Sequence, residues 1–563
     1  MLQFMTPSRL IPRALALLMP VAAAAAAAAT DITLRRLDDT ALEVHYALPA
    51  GCELAPFEQQ DPASRQFRQG WEPLDACGAG DGIALSAGSP GCLHRRFRVP
   101  TTTARAAAFP PAFPMHGATY VHTGDYALGG RCGEARYFFE AAQIGVDGGF
   151  VQGRASPALS SDGQVSALLL DASAPVRHHP LPAYLDPELP ASEAALILQR
   201  ASATVQALER ALPDARFKPV VLAATRVQLG GERNVGGDAH DVMRLTLFDW
   251  PASPDRGSEQ LLTRLVSHEI SHRFQLRDLT TRYPDARLIH EGGGEFLRWL
   301  VSLEQGWITP DEAAAELDGA LLRCMSKSEG RPWAALSARE RNALRRPYDC
   351  GLAVYAVALA QHPGHGDAFA RINAFYRELA AGRPPDLPTA LACGEARPCD
   401  PRALRALLEG PEPMNRAWQR WLSRMPWVHA SPPSLAQQAD RLQYWMVALM
   451  KADCQGAASL TPEATRITLD GMARCATLRE DLPVTTIAGR PLAEPGLPRR
   501  IAARCREAGT VLLGSETGRR VQLRCVGTDL LTQPSYRVDM QALYAALRGR
   551  PLPRGRPDQP ATP

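Results

Sequence analysis

His268-Glu269-Ile270-Ser271-His272, followed by Glu291 after the 18 residues 273–290, decides how this chain is read. Two histidines four residues apart project from one face of a helix and can share one zinc ion. Glu269, beside the first histidine, stands where a general base would polarise a zinc-bound water. Glu291, starting the next helix, completes three protein ligands and leaves a fourth position open, as a catalytic zinc requires. One zinc ion per chain is therefore expected. The Gly-rich EGGGEF at residues 291–296 suits close approach of helix to helix or helix to substrate. Glu295, one turn beyond Glu291, is spaced to orient a zinc-bound histidine through its second ring nitrogen.

The surrounding pattern is that of an α+β multidomain chain. The histidine helix is predicted to open at Ser258 as its N-cap, with Glu259 in the first turn. Leu261, Leu265, His268 and His272 fall on one stripe of that helix, so the ligands continue an inward face. A long amphipathic helix is predicted from Ser192, then strand-like runs at 219–229 and 242–248. Thr309-Pro310-Asp311-Glu312 and Ser337-Ala338-Arg339-Glu340 are capping boxes that open further helices. Residues 186–432 are thus predicted to form a mainly helical domain carrying the site. Residues 30–185 read as β-rich: in 41–48, Leu42, Val44 and Tyr46 alternate with Glu43 and His45, the period of a half-buried strand. Residues 433–547 return to short β-like runs at 464–469, 482–489, 510–515 and 519–527. The tail, 548–563, is rich in Pro and Arg and is expected to be disordered.

Residues 1–29 have the form of a cleaved signal peptide: Arg9 and Arg13 precede an apolar, Ala-dominated run that ends in small residues. No later stretch is long and apolar enough to span a bilayer, so no integral membrane segment is expected after cleavage. An exported protein, periplasmic or extracellular, is the expectation. The 62 Lys and Arg nearly balance the 59 Asp and Glu, and no long basic run occurs, which argues against nucleic acid as a partner. The 12 cysteines fall in three groups of four, one per predicted domain, with no CxxC pair. That pattern in an exported chain points to disulfides within each domain, with Cys393–Cys399 the candidate local bridge.

The histidine motif, the third carboxylate and Pro347-Tyr348-Asp349-Cys350-Gly351 together resemble the gluzincin metallopeptidases, nearest to the aminopeptidase N and glycyl aminopeptidase families. The resemblance covers about residues 220–360 and implies a thermolysin-like catalytic domain between smaller β-rich domains. Residues 484–492 (VTTIAGRPL) also resemble part of a PDZ domain. Carried over, His268, His272 and Glu291 would bind zinc, Glu269 would be the general base, and Tyr348 would stabilise the tetrahedral intermediate. A phenol O–H suits that role because it can donate to a developing oxyanion without ionising.

Gly236, Gly237 and His240, in GGDAH at 236–240, resemble the edge-strand motif that aligns substrate in those families. The acidic residue that anchors a free substrate amine there falls on Ala239, and the Lys of the tyrosine motif is Cys350. Asp238 would face the opposite side of the strand, and Glu232 would reach the site only from its loop. The resemblance thus implies a zinc-dependent hydrolase of peptide or protein substrates, with relaxed dependence on a free N-terminus. The alternative is a catalytically inactive peptide-binding protein that keeps the fold.

Overall fold

The computed structural model describes residues 29–553 apart from 53, 88–90, 104–108, 161–162, 180, 232, 344, 362–366, 394–399 and 464. Residues 1–28 of the expected leader and 554–563 of the expected tail lie outside the described residues, as do Glu232 and Cys399. Among the described residues no helix is long and apolar enough to cross a membrane.

The N-terminal region is a nine-stranded sheet. Strand Thr30–Asp38 buries Ile32 and Leu34, and pairs antiparallel with Ala41–Ala47 and parallel with Ala135–Val146. The alternation read at 41–48 is realised: Leu42, Val44 and Tyr46 enter one core with Phe97, Val99, Tyr137 and Phe139. The sheet's far end packs elsewhere. Phe113, Met115, Tyr120, Leu168 and Leu170 meet Tyr184, Val221, Ala223 and Val242 in a second apolar layer. That layer clamps the N-terminal sheet to the sheet that carries the site.

This second sheet has five strands, in the order Val176–Arg177, Ala183–Leu185, Val221–Val227, Val242–Phe248 and Asn234–Ala239. Its first two strands lie before residue 186, where the sequence placed a domain boundary. Ala183–Leu185 pairs parallel with Val221–Val227, and helix Ala191–Ala211 supplies the crossover between them. That helix begins just after Pro190, so Ser192 sits inside its first turn. Asn234–Ala239 is the antiparallel edge strand.

Helices follow as predicted, including both capping boxes. The histidine helix, however, spans Arg256–His272 and is capped by Asp255, not Ser258. The Asp255 carboxylate accepts from the Ser258 backbone N–H and from its hydroxyl, both at 2.7 Å. A carboxylate at the positive end of a helix outcompetes a hydroxyl for that position.

The C-terminal region has its own core, in which Trp445, Leu469, Val484, Ile501 and Leu513 meet. Its strands form a six-stranded antiparallel sheet, and its longest element is a 19-residue helix, Leu435–Asp453, that the strand-like text did not suggest. The chain then returns to the helical body. Strand Ser535–Val538 pairs with Val428–Ser431, and Tyr536, Val538, Leu543 and Leu547 join the helical core. The expected boundary near 547 therefore falls after the chain has left that smaller core. Described disulfides stay within each group of cysteines: Cys52–Cys132, Cys77–Cys92, Cys324–Cys350, Cys454–Cys475 and Cys505–Cys525.

The returning strand is tied down by Asp318, whose carboxylate accepts from the Val538 N–H at 2.9 Å. Burial pushes the Asp318 pKa up to about 7. A carboxyl whose folded-state pKa is raised favours the fold while protonated and loses that contribution as pH climbs toward the folded-state value. Asp318→Asn keeps the acceptor and removes the charge. It should raise the melting temperature at about pH 8 and change it little at about pH 4. An equal effect at both pH values, in parallel thermal melts, would contradict this assignment.

Candidate metal centre

Two stripes of the histidine helix are buried. Leu262, Val266 and Ile270 enter the main core, while Leu261 and Leu265 lie half-buried beside it, leading to His268 and His272. Glu291 arrives by a different device from the one expected. It does not open a regular helix. Leu288–Gly292 form a π turn that runs into helix Gly293–Glu304. Such widened turns recur at functional sites because they re-aim a side chain within a helix.

What seats this turn is a backbone contact. Gly292 packs directly on Gly351 of helix Arg346–Ala360, so a Cβ on either glycine would overlap the other's Cα. The second helix carries Tyr348. The same contact therefore places both Glu291 and Tyr348 over the histidines.

The three groups converge. His268 Nε2 and His272 Nε2 lie 3.0 Å apart, and Glu291 Oε2 lies 3.4 and 3.5 Å from them. One ligand atom from each residue falls within 4.8 Å of the others, and the set can hold a metal ion. Glu291 Oε2 is buried without a hydrogen-bond partner, a carboxylate oxygen aimed into the space between two imidazoles. A lone buried acceptor is costly unless a cation meets it. Two neutral nitrogens and one carboxylate oxygen form a donor set suited to zinc.

Neighbours set which ring nitrogen faces that space. Gln275 donates through Nε2 to the His290 and Ile289 carbonyls at 2.8 and 3.3 Å. Its Oε1 is therefore the acceptor toward His272 Nδ1, at 2.8 Å, which puts the proton on Nδ1 and leaves Nε2 for a metal. His268 Nδ1 faces Glu295 Oε1 at 3.3 Å without forming a hydrogen bond in this geometry, so that carboxylate biases the proton toward Nδ1 by its charge. Gln275 was missed in the sequence. Its position three residues after His272 was the available signal, but its second contact, to the turn at 289–290, is purely tertiary.

Glu295 is more than a neighbour of His268. It is fully enclosed and bonded to Arg298 and Arg264, and Arg298 also holds Glu316. Burial opposes its charge, but the two guanidiniums outweigh that and hold its carboxyl well below the usual range. His268 is opposed by burial too, yet Glu291 and Glu295 push its pKa up to about 9. The negative charge that holds a proton there also attracts a metal cation. Glu269 is buried below the edge strand, and burial raises its pKa. Tyr348 stacks on His268 with centroids 5.4 Å apart, and burial with the Glu291 charge raises its pKa.

The edge strand runs over this site. Gly237 lies close to the helix: a Cβ there would sit 3.0 Å from Leu265 Cδ1 and 3.2 Å from Glu269 Cγ. Gly236 faces the Phe248 ring instead. Asp238 points to the opposite side, taking a hydrogen bond from Tyr120 at 2.7 Å and an ion pair from Arg244 at 2.8 Å. His240 lies past the end of the strand and is not one of the three residues whose ligand atoms converge. It bonds Asp241 through Nδ1 at 2.8 Å and lies 3.4 Å from Ser160 Oγ of the N-terminal region. His290 is buried against Thr280 and is not brought to the ligand cluster.

No family model and no curated protein matches the sequence. Solved structures do match the fold. An aminopeptidase N family protein from Idiomarina loihiensis aligns over 92% of this chain and 99% of its own, at 13% identity and a TM-score of 0.56. An M1 zinc metallopeptidase from Deinococcus radiodurans aligns over 68% of this chain and 95% of its own, at 12% identity and a TM-score of 0.37. Leukotriene A4 hydrolase from Saccharomyces cerevisiae covers 63% of this chain and 61% of its own, at 12% identity and a TM-score of 0.35. The first of these shows that the chain has an aminopeptidase N-like fold over 92% of its length.

If the glycine contact seats the π turn, adding a methyl to either partner must push turn and helix apart. Gly292→Ala and Gly351→Ala should each cost on the order of 1–3 kcal/mol of stability, the usual range for overpacking. Gly149→Ala, where a Cβ meets nothing within 4 Å, is the control. Denaturant unfolding that shows the three variants alike would remove the contact from the account.

Proposed function

We propose that this chain is an exported, zinc-dependent metallopeptidase that hydrolyses peptide bonds in peptide or protein substrates. The carrying observation is the convergence of His268 Nε2, His272 Nε2 and the unpartnered Glu291 Oε2 on one space. Glu269 and Tyr348 border that space from opposite elements. His268, His272 and Glu291 hold the zinc, one ion per chain, with Glu295 and Gln275 orienting the two rings. A zinc ion there supplies Lewis acidity, polarising a carbonyl and acidifying a water. Glu269 takes the proton from the attacking water and returns it to the departing amine. The Tyr348 hydroxyl donates to the carbonyl oxygen as that atom gains charge; its raised pKa keeps the donor protonated. An extended substrate adds as a further strand to the edge at Gly236 and Gly237, where main-chain groups on the free side of Asn234–Ala239 are open to pair.

Support for the reading comes from the aminopeptidase N-like fold and from the donor set. The disulfides support export, since such bonds persist in oxidising compartments. The edge strand supports relaxed dependence on a free amine, because Asp238 is committed to Tyr120 and Arg244.

Three substitutions separate the roles. His268→Ala should lose most of the zinc. Glu269→Gln should retain zinc near one equivalent and lose hydrolysis, because its side chain is the base and not a ligand. Tyr348→Phe should retain zinc and fold while turnover falls by about a hundredfold, the usual loss for one oxyanion donor. Elemental analysis with a quenched-peptide assay reads all three. Parental turnover in Glu269→Gln, or full zinc in His268→Ala, would sink the corresponding assignment.

A further inference from the structure

Beside the candidate metal centre lies a cavity of about 370 Å³. It begins at His272 and lies past the His240 end of the edge strand. Its wall carries four cations, Arg216, Lys218, Arg273 and Arg277, against two carboxylates, Asp241 and Asp278.

The cations outnumber the carboxylates on this wall. Arg216 and Arg277 are exposed, and neither has a carboxylate at ion-pair distance among the described residues. Lys218 Nζ stands 3.6 Å from Asp241 Oδ1, but Asp241 also serves His240 at 2.8 Å and the Ser166 N–H at 3.3 Å. Arg273 is buried and donates to the carbonyls of Lys218 and Pro219 at 3.0 Å each, and to that of His240. The Asp241 and Asp278 carboxylates also act on it.

Backbone geometry marks the same place. Arg216 and Leu276, on two walls of the cavity, hold φ of 50° and 46° without being glycine. Such conformations cost energy and persist where the surroundings over-determine them, commonly at ligand clamps. A peptide laid along Asn234–Ala239 over Glu269 runs toward this cavity. An ammonium arriving there would meet excess positive charge, whereas a carboxylate would be drawn in.

Resting on the peptidase reading above, we propose that this cavity receives a substrate carboxylate next to the cleaved bond, so that the enzyme selects substrates by an anionic group. That group is either an acidic side chain or a terminal carboxylate. The experiment compares quenched peptides, all N-acetylated, that differ by Glu against Gln at each position in turn, and by a free against an amidated C-terminus. At low salt, one such pair should differ by about tenfold or more in kcat/KM, with the carboxylate form preferred. A Glu effect assigns the source to a side chain, and an amidation effect assigns it to the terminus. The ratio should fall toward one in Arg216→Gln/Arg277→Gln and persist in Arg402→Gln, a surface control on another helix.

Ratios near one for every pair, or a preference that survives the double variant, would overturn the proposal. If the parent cleaves no acetylated peptide, the relaxed dependence on a free N-terminus fails separately, and cleavage of the free-amine peptide decides the hydrolase reading. Fluorescence anisotropy of the labelled Glu peptide and its Gln twin then reads the cavity alone. Tighter binding of the Glu peptide that is lost in the double variant supports the proposal, and equal binding overturns it.

Discussion

Two backbones touching at Gly292 and Gly351 set the geometry on which the rest of the site depends. One belongs to the π turn that aims Glu291, the other to the helix that carries Tyr348. No side chain intervenes, so their separation has no rotamer freedom to absorb error. The Cys324–Cys350 disulfide joins the tyrosine helix to helix Pro310–Lys327 one residue from the contact. Lys327 and Arg323 of that same helix pair with the buried Asp349. Tyr348 is thus bracketed by a covalent bond, a buried ion pair and a backbone contact, all within the residues Asp349, Cys350 and Gly351.

Electrostatics complete what packing begins. Glu295 joins the histidine helix to helix Gly293–Glu304 through Arg264, Arg298 and His268. A buried charge cluster of this kind is weak evidence for stability, since desolvation offsets most of the attraction. Its consequence here is geometric: the His268 ring is oriented and surrounded by negative charge, the condition under which a cation is held. The groove beyond His272 reverses sign, with cations exceeding carboxylates on the cavity wall. One continuous surface therefore presents a cation-attracting centre and an anion-attracting flank.

Much of the site was legible because its spacing is local. Two histidines one helical turn apart need only a helix to share a face, and the helix was evident from its apolar stripe. Glu291 was legible by distance along the chain, but the π turn that presents it was not, since nothing in LIHEG encodes a partner at Gly351. Gln275 escaped for the same reason: its value lies in touching both His272 and the turn. The N-terminal strands were legible from alternation, while the membership of Ala183–Leu185 in the second sheet depends on its parallel partner 39 residues later. Helix Leu435–Asp453 was overlooked beside the β-like runs that follow it, although Ser434 and Gln437 form a capping box at its start. Relations made between distant segments leave no period in the text.

His268, His272 and Glu291 are proposed to bind one metal ion. X-ray absorption at the zinc edge on the purified protein tests it most directly, because it reads the ligand atoms themselves. About one zinc per chain is expected, with only nitrogen and oxygen neighbours at roughly 2.0–2.2 Å, two of them imidazoles. Sulfur scattering at about 2.3 Å, or a spectrum unchanged in Glu291→Ala, would contradict it.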